Sequence, residues 1–160
     1  MTSLKNLKIK KFECLLMHNA NSLLTKNGEE MYKSIKNIKA LGLTKKIGIS
    51  IYDFNTLNKI LKKFKFDLIQ VPLNVYDRRL IEGGWLKELK KKNIEIHVRS
   101  IFLQGVLILK SSKFPVKLKK LKKYFIIWEN WLKKNKLNPV HICLAFILKQ
   151  SKFNGLVIGC

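Results

Sequence analysis

The sequence has 160 residues, of which 47% are hydrophobic and 27% are charged, and its formal net charge at pH 7 is +23. This length fits one domain, and the hydrophobic content is that of a folded protein, which excludes a disordered chain. No apolar run reaches the roughly 18 residues of a membrane-spanning helix, and the first residues lack the apolar region of a signal peptide. We therefore expect a folded cytoplasmic protein with no membrane partner.

The positive charge comes almost wholly from lysine. Only Arg78, Arg79 and Arg99 are arginines among 33 basic residues, and the lysines are spread along the whole chain. Proteins that read nucleic acids favour arginine, whose planar guanidinium binds bases and phosphates with two hydrogen bonds. We interpret the lysines as solvated helix faces. The alternative is a non-catalytic binding or scaffolding module whose basic surface engages nucleic acid or other anionic partners.

The cysteines and histidines do not predict a metal site or a disulfide framework. Cys14, Cys143 and Cys160 lie far apart and form no CxxC pair, and two of them have apolar neighbours. Such thiols are typical of buried cysteines in a reducing compartment. The three histidines have no metal-ligand spacing, so we predict no bound metal.

Short apolar runs predict five strands. Several of them lack polar alternation, as expected for strands that are covered on both faces. The predicted strands are Phe12–Met17, Ile47–Ile51, Asp67–Val71, Ile94–Val98 and Gly155–Ile158.

Segments of helical periodicity lie between the strands. Gly42 is expected to end one helix, Asp53 to cap another, and Asn138 to cap a helix that has Pro139 in its first turn. The predicted helices are Leu4–Ile9, Glu29–Leu41, Phe54–Phe64, Gly83–Lys92, Val116–Lys134 and Pro139–Lys149.

The helix predicted over 116–134 is amphipathic and basic. Such a helix could lie on an anionic membrane or in a helix-binding groove. We expect instead that it lies outside the sheet and packs its apolar stripe against the strands. The stripe consists of Leu118, Leu121, Phe125, Trp128 and Leu132.

The alternation of strands and helices predicts a parallel sheet with right-handed crossovers, either doubly wound or part of a (β/α)8 barrel. Functional side chains of such folds lie at the carboxyl ends of the strands. Polar residues recur there, which predicts a ligand site at that edge. They are His18, Asn19, Ser50, Tyr52, Gln70, Asn74, Arg99 and Ser100.

Five segments, in the correct order over nearly all 160 residues, resemble segments of the aldo-keto reductases. Leu15–His18 resembles the family's LLLH strand, Lys46–Ser50 its GKVRxIGVSN segment, and Asp67–Arg79 its DVVQxxYNxxDRR stretch. His97–Gly105 parallels xxAYSPLxQG, and Leu144–Gly159 contains counterparts of ALAWLL and VIPG.

This resemblance implies an α/β fold that is a partial (β/α)8 TIM barrel, with five parallel strands and intervening helices that correspond to the family's fourth to eighth strands. It implies one domain over residues 1–160, incomplete at the N-terminus and at the C-terminus. It also implies an oxidoreductase that reduces small carbonyl substrates with NAD(P)H, and this is the function we expect of the family's complete site.

The resemblance also implies roles for single residues. His18 matches the histidine of the family's catalytic Asp, Tyr, Lys and His, and would orient and polarise the substrate carbonyl. Ser50 and Gln70 would hold the nicotinamide carboxamide, and Ser100 would approach the pyrophosphate. Arg99 stands where the family has a tyrosine that stacks on the nicotinamide, and a guanidinium can stack on a planar ring as well.

Other residues complete or weaken the predicted site. Asn19 and Asn74 are the candidates for substrate binding, while Ile51 replaces an asparagine that usually contacts the carboxamide. The Asp, Tyr and Lys have no counterpart, because their strands would precede Met1. We therefore expect negligible reductase activity of this polypeptide alone.

Five strands would also leave two unpaired edges and an open apolar interior. This predicts self-association, association with a complementary N-terminal fragment, or else a truncated gene product of poor stability.

Overall fold

The computed structural model describes residues 2–150 and 153–159, and its strands form one parallel sheet. Neighbours in the sheet are also neighbours in sequence, so the spatial order is β1-β2-β3-β4-β5. The sheet curls into half a barrel with helices between the strands, which confirms the predicted partial (β/α)8 barrel. The strands are β1 Phe12–Met17, β2 Thr44–Ser50, β3 Leu68–Pro72, β4 Glu95–Arg99 and β5 Gly155–Leu156.

The helices lie on the outside of this half-barrel. The α-helices are α1 Thr2–Asn6, α2 Gly28–Ala40, α3 Phe54–Lys63, α4 Arg79–Glu82, α5 Trp85–Lys91, α6 Lys122–Lys134 and α7 Pro139–Lys149. Short 3-10 turns that the sequence did not predict are found at Ala20–Leu24, Val106–Ile108, Ser111–Lys113 and Val116–Leu121. Among the described residues, no helix is long and apolar enough to cross a membrane.

The predicted helix ends are confirmed by their caps. The Asp53 carboxylate accepts a hydrogen bond of 2.7 Å from the Thr56 backbone N–H at the start of α3. Asn138 accepts from the Val140 backbone N–H at 2.9 Å at the start of α7. Gly42, just beyond α2, has a φ of +73°, a left-handed conformation that glycine adopts without strain.

The helix predicted over 83–92 begins two residues later than expected. Gly84 has a φ of +73° and separates α4 from α5, so the chain turns where continuous helix was predicted. The single turn of α4 precedes this break and buries Leu80. A left-handed residue interrupts helical hydrogen bonding, which explains the difference.

The helix predicted over 116–134 is α-helical only from Lys122, and its first six residues form a 3-10 turn. Lysines at spacings of three and four repel one another along this part of the chain and disfavour an α-helix. The predicted stripe is buried only in part, and its Phe125 packs against Val106, Leu107 and Cys143, which lie in a 3-10 turn and in α7 and not in the strands against which the stripe was predicted to pack. Phe125 and Leu132 are buried and Trp128 is half-buried, whereas Leu121 is exposed.

The two faces of the sheet differ in chemistry. The helix-facing side carries aliphatic side chains that are fully buried among the helices, including Ile49, Ile69 and Ile96. The other, inner face carries Ser50, Gln70 and His97 in register across three strands. The prediction of an apolar interior is therefore wrong for the layer formed by Ser50, Gln70 and His97, because these polar side chains occupy its inward positions.

At the amino ends of the strands the inner face holds an ion pair. The Lys46 ammonium lies 2.7 Å from the Glu95 carboxylate and 3.5 Å from that of Glu13. The hydrogen bond with Glu95 is the main cause of a raised Lys46 pKa, so the lysine stays charged. The pair supplies each charge with a partner inside the half-barrel.

Among the described residues, Cys14 and Cys143 are free thiols, of which only Cys143 is buried as predicted. Cys143 is buried and Cys14 is half-buried, and desolvation raises the pKa of each thiol to about 11. Both are therefore protonated and unreactive at neutral pH. Cys160 lies outside the described residues.

Candidate active site

The predicted site residues lie at one edge of the half-barrel. His18 and Asn19 follow β1, Ser50 ends β2, Gln70 lies in β3, and Arg99 ends β4. All five strands run parallel, so their carboxyl ends meet at the same edge, where (β/α)8 barrels place their ligands.

Arg99 links the ends of β2 and β4. Its Nε donates to Ser50 Oγ at 3.3 Å, its Nη1 to Ser100 Oγ at 3.1 Å and its Nη2 to the Ile51 carbonyl oxygen at 3.1 Å. The guanidinium also lies 4.0 Å from the centre of the Tyr52 ring, in a cation–π contact. These contacts hold the guanidinium plane in one orientation.

Ser50 extends this network to β3. Its hydroxyl donates to Gln70 Oε1 at 3.3 Å, and its side chain is buried, with only 2% of the residue exposed. One chain of hydrogen bonds therefore runs from Gln70 through Ser50 and Arg99 to Ser100. The four residues that the sequence predicts for cofactor binding are brought together by the fold.

His18 opens into a cavity of about 320 Å³ beside this network. The cavity is shared by the ends of β1 and β2 and is lined by His18, Asn19 and Ser50, together with Tyr52 and Asp53. His18 is exposed to solvent within it. The cavity therefore brings the imidazole of His18 to the same opening as Ser50, which ends the neighbouring strand.

A second cavity of about 340 Å³ has Arg99 in its lining. Its lining includes Ser100 and the loop that follows β4, in which Ser100, Leu103 and Gln104 have φ values of +58°, +48° and +55°. Such left-handed conformations are costly for residues other than glycine and cluster at functional sites. The sequence pattern assigned no role to Gln104, since the strain depends on the path of the loop.

Asn74 is placed differently from the other candidates. Its side chain is 1% exposed, its Oδ1 accepts from the backbone N–H groups of Tyr76 and Asp77 at 2.9 Å, and its Nδ2 donates to the Ser100 carbonyl oxygen at 3.2 Å. Its polar atoms thus order the 74–77 turn and support the loop after β4. A substrate contact by Asn74 stays a prediction, whereas Asn19 lines the cavity of His18.

The arginines near Asn74 are engaged by carboxylates. Arg79 donates two hydrogen bonds of 2.8 Å to Asp77, and Arg78 lies 2.9 Å from Glu82. The hydrogen bond with Arg79 lowers the pKa of Asp77. Arg99 differs from both, because the groups that bind it are the hydroxyls of Ser50 and Ser100, a carbonyl oxygen and the Tyr52 ring.

The donor set suits a nicotinamide nucleotide. A carboxamide needs both donors and acceptors, which the Gln70 amide carries and the Ser50 hydroxyl would supply in exchange for its hydrogen bonds with Gln70 and Arg99, while Arg99 and Ser100 offer donors to an anionic group. Ile51 is the exception, because its side chain is 1% exposed in the core and only its carbonyl faces the network.

The sequence profile of the aldo/keto reductase family matches residues 1–160, and the chain belongs to this family. A search of curated proteins finds no match.

Solved structures show the same fold. The holo form of the aldo-keto reductase AKR11C1 from Bacillus halodurans superposes with a TM-score of 0.70 at 18% identity, over 99% of this chain and 54% of that one. The glycerol dehydrogenase AKR11B4 from Gluconobacter oxydans gives a TM-score of 0.67 at 16% identity, over 96% and 51%. The chain thus spans about half the length of these proteins.

Proposed function

We propose that these residues form the nicotinamide-binding half of a cytoplasmic oxidoreductase that reduces an aldehyde or ketone with NAD(P)H. The observation that carries the proposal is the hydrogen-bonded chain Gln70–Ser50–Arg99–Ser100 beside the cavity of His18. It stands at the carboxyl edge of a half-barrel whose family is that of the aldo/keto reductases.

Each residue has a physical task in this proposal. Ser50 and Gln70 hydrogen-bond the carboxamide, the Arg99 guanidinium stacks on the ring, and Ser100 donates to phosphate. The bound nucleotide supplies the hydride. A carbonyl substrate lies in the 320 Å³ cavity, where an imidazole N–H of His18 donates to the carbonyl oxygen and polarises it, with Asn19 as a second polar contact.

We further propose that the 160-residue polypeptide tested alone has negligible reductase activity. Hydride addition to a carbonyl leaves an alkoxide that needs a proton, and the resemblance assigns that proton to a tyrosine without a counterpart among these residues. General acid catalysis contributes typically ~10²–10⁴ in rate. We therefore expect this polypeptide to bind the nucleotide without reducing a substrate.

The open edge of the half-barrel is where we propose that further strands are added. β1 pairs with β2 on one side, and most of its side chains are only half-buried. Strands at this edge could come from a complementary N-terminal fragment or from a second copy of the chain. Either would satisfy the free backbone groups of an edge strand.

Nucleotide binding is tested by isothermal titration of NADPH into the 160-residue protein and two arginine variants. Arg99→Gln is expected to weaken binding about tenfold, because it removes charged hydrogen bonds and the stacking plane. Arg78→Gln, at an exposed arginine paired with Glu82, is the matched control and should bind as the parent does. Equal loss in both variants, or no binding by the parent, contradicts the proposal.

Turnover is tested by following NADPH absorbance with a panel of aldehydes and ketones. We expect no oxidation above the background rate, with or without His18→Ala. Oxidation that disappears in His18→Ala would overturn the proposed inactivity, while assigning the reaction to this site.

A further inference from the structure

Helix α6 carries a second apolar strip on a side that the fold leaves exposed. Tyr124, Ile127 and Trp131 follow one another at three and four residues, so they share a face of the helix. They are 47%, 65% and 44% exposed, whereas Phe125 and Leu132 on the packed side are buried. The apolar arc of α6 is therefore wider than the part that packs. We call the three exposed residues the outer strip.

The outer strip lies in the most basic part of the chain. Residues 110–136 contain ten lysines and a single acidic residue, Glu129. Glu129 is already bound, since its carboxylate lies 2.9 Å from the Lys133 ammonium and accepts from the Ser111 backbone N–H at 3.1 Å. The local excess of positive charge is therefore left for an anionic partner.

The chemistry of the exposed side chains selects among anionic partners. Besides the outer strip, the preceding 3-10 turn exposes Val116, at 86%, and Leu121. Tyr124 and Trp131 have rings on which a nucleobase could stack, but Ile127, Val116 and Leu121 have none and add little to single-stranded nucleic acid binding. A second copy of the chain would bring an equally basic surface and be repelled. Aliphatic and aromatic residues beside lysines are the composition of segments that lie in the interface of anionic bilayers.

We propose that α6 and the 3-10 turn Val116–Leu121 bind the surface of an anionic bilayer. Trp131, Tyr124 and Ile127 enter the interface, and the lysines extend their ammonium groups to the lipid phosphates. The prediction of no membrane partner depended on the absence of a spanning run, and surface binding requires none. The proposal is independent of the nicotinamide site, because α6 shares no residue with it.

The test is sedimentation of the 160-residue protein with vesicles of phosphatidylglycerol and phosphatidylcholine, compared with phosphatidylcholine alone. We expect binding to the anionic vesicles only, weakened by salt, with a blue shift of tryptophan emission. Ile127→Ser combined with Trp131→Ser should weaken it at least about tenfold, because burial of two apolar side chains is lost. Lys120→Gln, Lys123→Gln and Lys134→Gln together should weaken it about a hundredfold.

Matched variants control for exposure and charge. Leu41→Ser changes an exposed leucine on another helix end, and Lys33→Gln, Lys59→Gln and Lys62→Gln remove the same charge from α2 and α3. Both should bind as the parent does, and circular dichroism checks that every variant is folded.

Equal loss in the controls, equal binding to neutral vesicles, or no vesicle binding by the parent would overturn the proposal. Retention of polyuridylate that is lost in Trp131→Ser, without vesicle binding, would also overturn it and assign the surface to nucleic acid.

Discussion

Gly48 occupies a point where two strands approach too closely for a side chain. A Cβ at this position would lie 2.7 Å from Leu16 Cδ2 and would press against the carbonyl group of Leu68. Both neighbours belong to the strands paired with β2. The glycine that the family pattern places before Ser50 therefore has a packing reason in this chain.

Gly48→Ala is expected to destabilise the protein by about 1–3 kcal/mol, because the backbone carbonyl cannot move away without breaking the β2–β3 ladder. The measurement is the free energy of unfolding from urea titration. Gly159→Ala is the control, since a Cβ there meets nothing within 4 Å. Equal stability of the two variants would show that the strands can separate at low cost.

Single residues of the site could be predicted because strand ends are visible in the sequence, but their contacts could not. The hydrogen bond between Ser50 and Arg99 joins residues 49 positions apart and depends on the register of β2, β3 and β4. The turn-forming role of Asn74, in contrast, can be recognised from its neighbours in the sequence. An asparagine two residues before Tyr76 can accept from the backbone of its own turn, as it does here.

At the scale of elements, Glu129 ties α6 to the 3-10 turn at Ser111–Lys113. The hydrogen bonds from Ser111 and Lys133 lower its pKa to about 2. A carboxylate with a depressed pKa stabilises the fold at pH values above its unfolded pKa, and this contribution is lost as the pH falls through the folded pKa. The relevant window runs from about pH 4.5, the ordinary value for glutamate, down to about pH 2.

Glu129→Gln should therefore reduce the loss of stability between about pH 4.5 and pH 2, because the variant has no carboxylate to protonate there. Thermal unfolding followed by circular dichroism across this range gives the comparison. Glu30→Gln removes one carboxylate from α2 and controls for the change in net charge. If the variant lost stability in acid as steeply as the parent does, the role assigned to Glu129 would be contradicted.

Asn138→Ala should lower the free energy of unfolding by about 1 kcal/mol, because α7 loses the acceptor for its first N–H groups. Asn138→Asp should retain most of the stability. Asn130→Ala, inside α6, serves as the control and should not be destabilising, since alanine is the better helix former. Similar losses at both positions would mean that the cap contributes little.

The elements with caps and clear periodicity, such as α3 and α7, begin and end close to their predicted positions. The differences from prediction arise where backbone conformation or repulsion between like charges determines where a helix begins. Gly84 adopts a left-handed conformation that delays the start of one predicted helix, and lysines in the Val116–Leu121 turn delay the start of α6. The spacing of apolar residues predicts neither effect, because it indicates only which side chains can share a face of a helix.

At the scale of the whole molecule, the curled sheet combines a β1 edge, a row of polar side chains on its inner face and a charge of +23. An unpaired edge strand favours association, while the net charge opposes it between copies. These two effects respond differently to salt, since screening acts on the charge and leaves the edge unchanged.

Light scattering should therefore show self-association of the 160-residue protein that increases with both protein and salt concentration. The expected mass at low salt is near that of one 18.7 kDa chain and rises as the repulsion is screened. A monomer at every salt and protein concentration would count against association through β1.

The order of the sheet also bears on how the protein is made. Within residues 2–150 and 153–159, each of β2 to β5 lies beside the strand synthesised just before it, and no later strand inserts between earlier ones. A ribosome releasing this chain would lengthen the sheet from one end, with every β/α unit docking onto a partner that has already left the exit tunnel. Each of β2, β3, β4 and β5 therefore finds its pairing strand already synthesised, so the sheet can grow in step with translation.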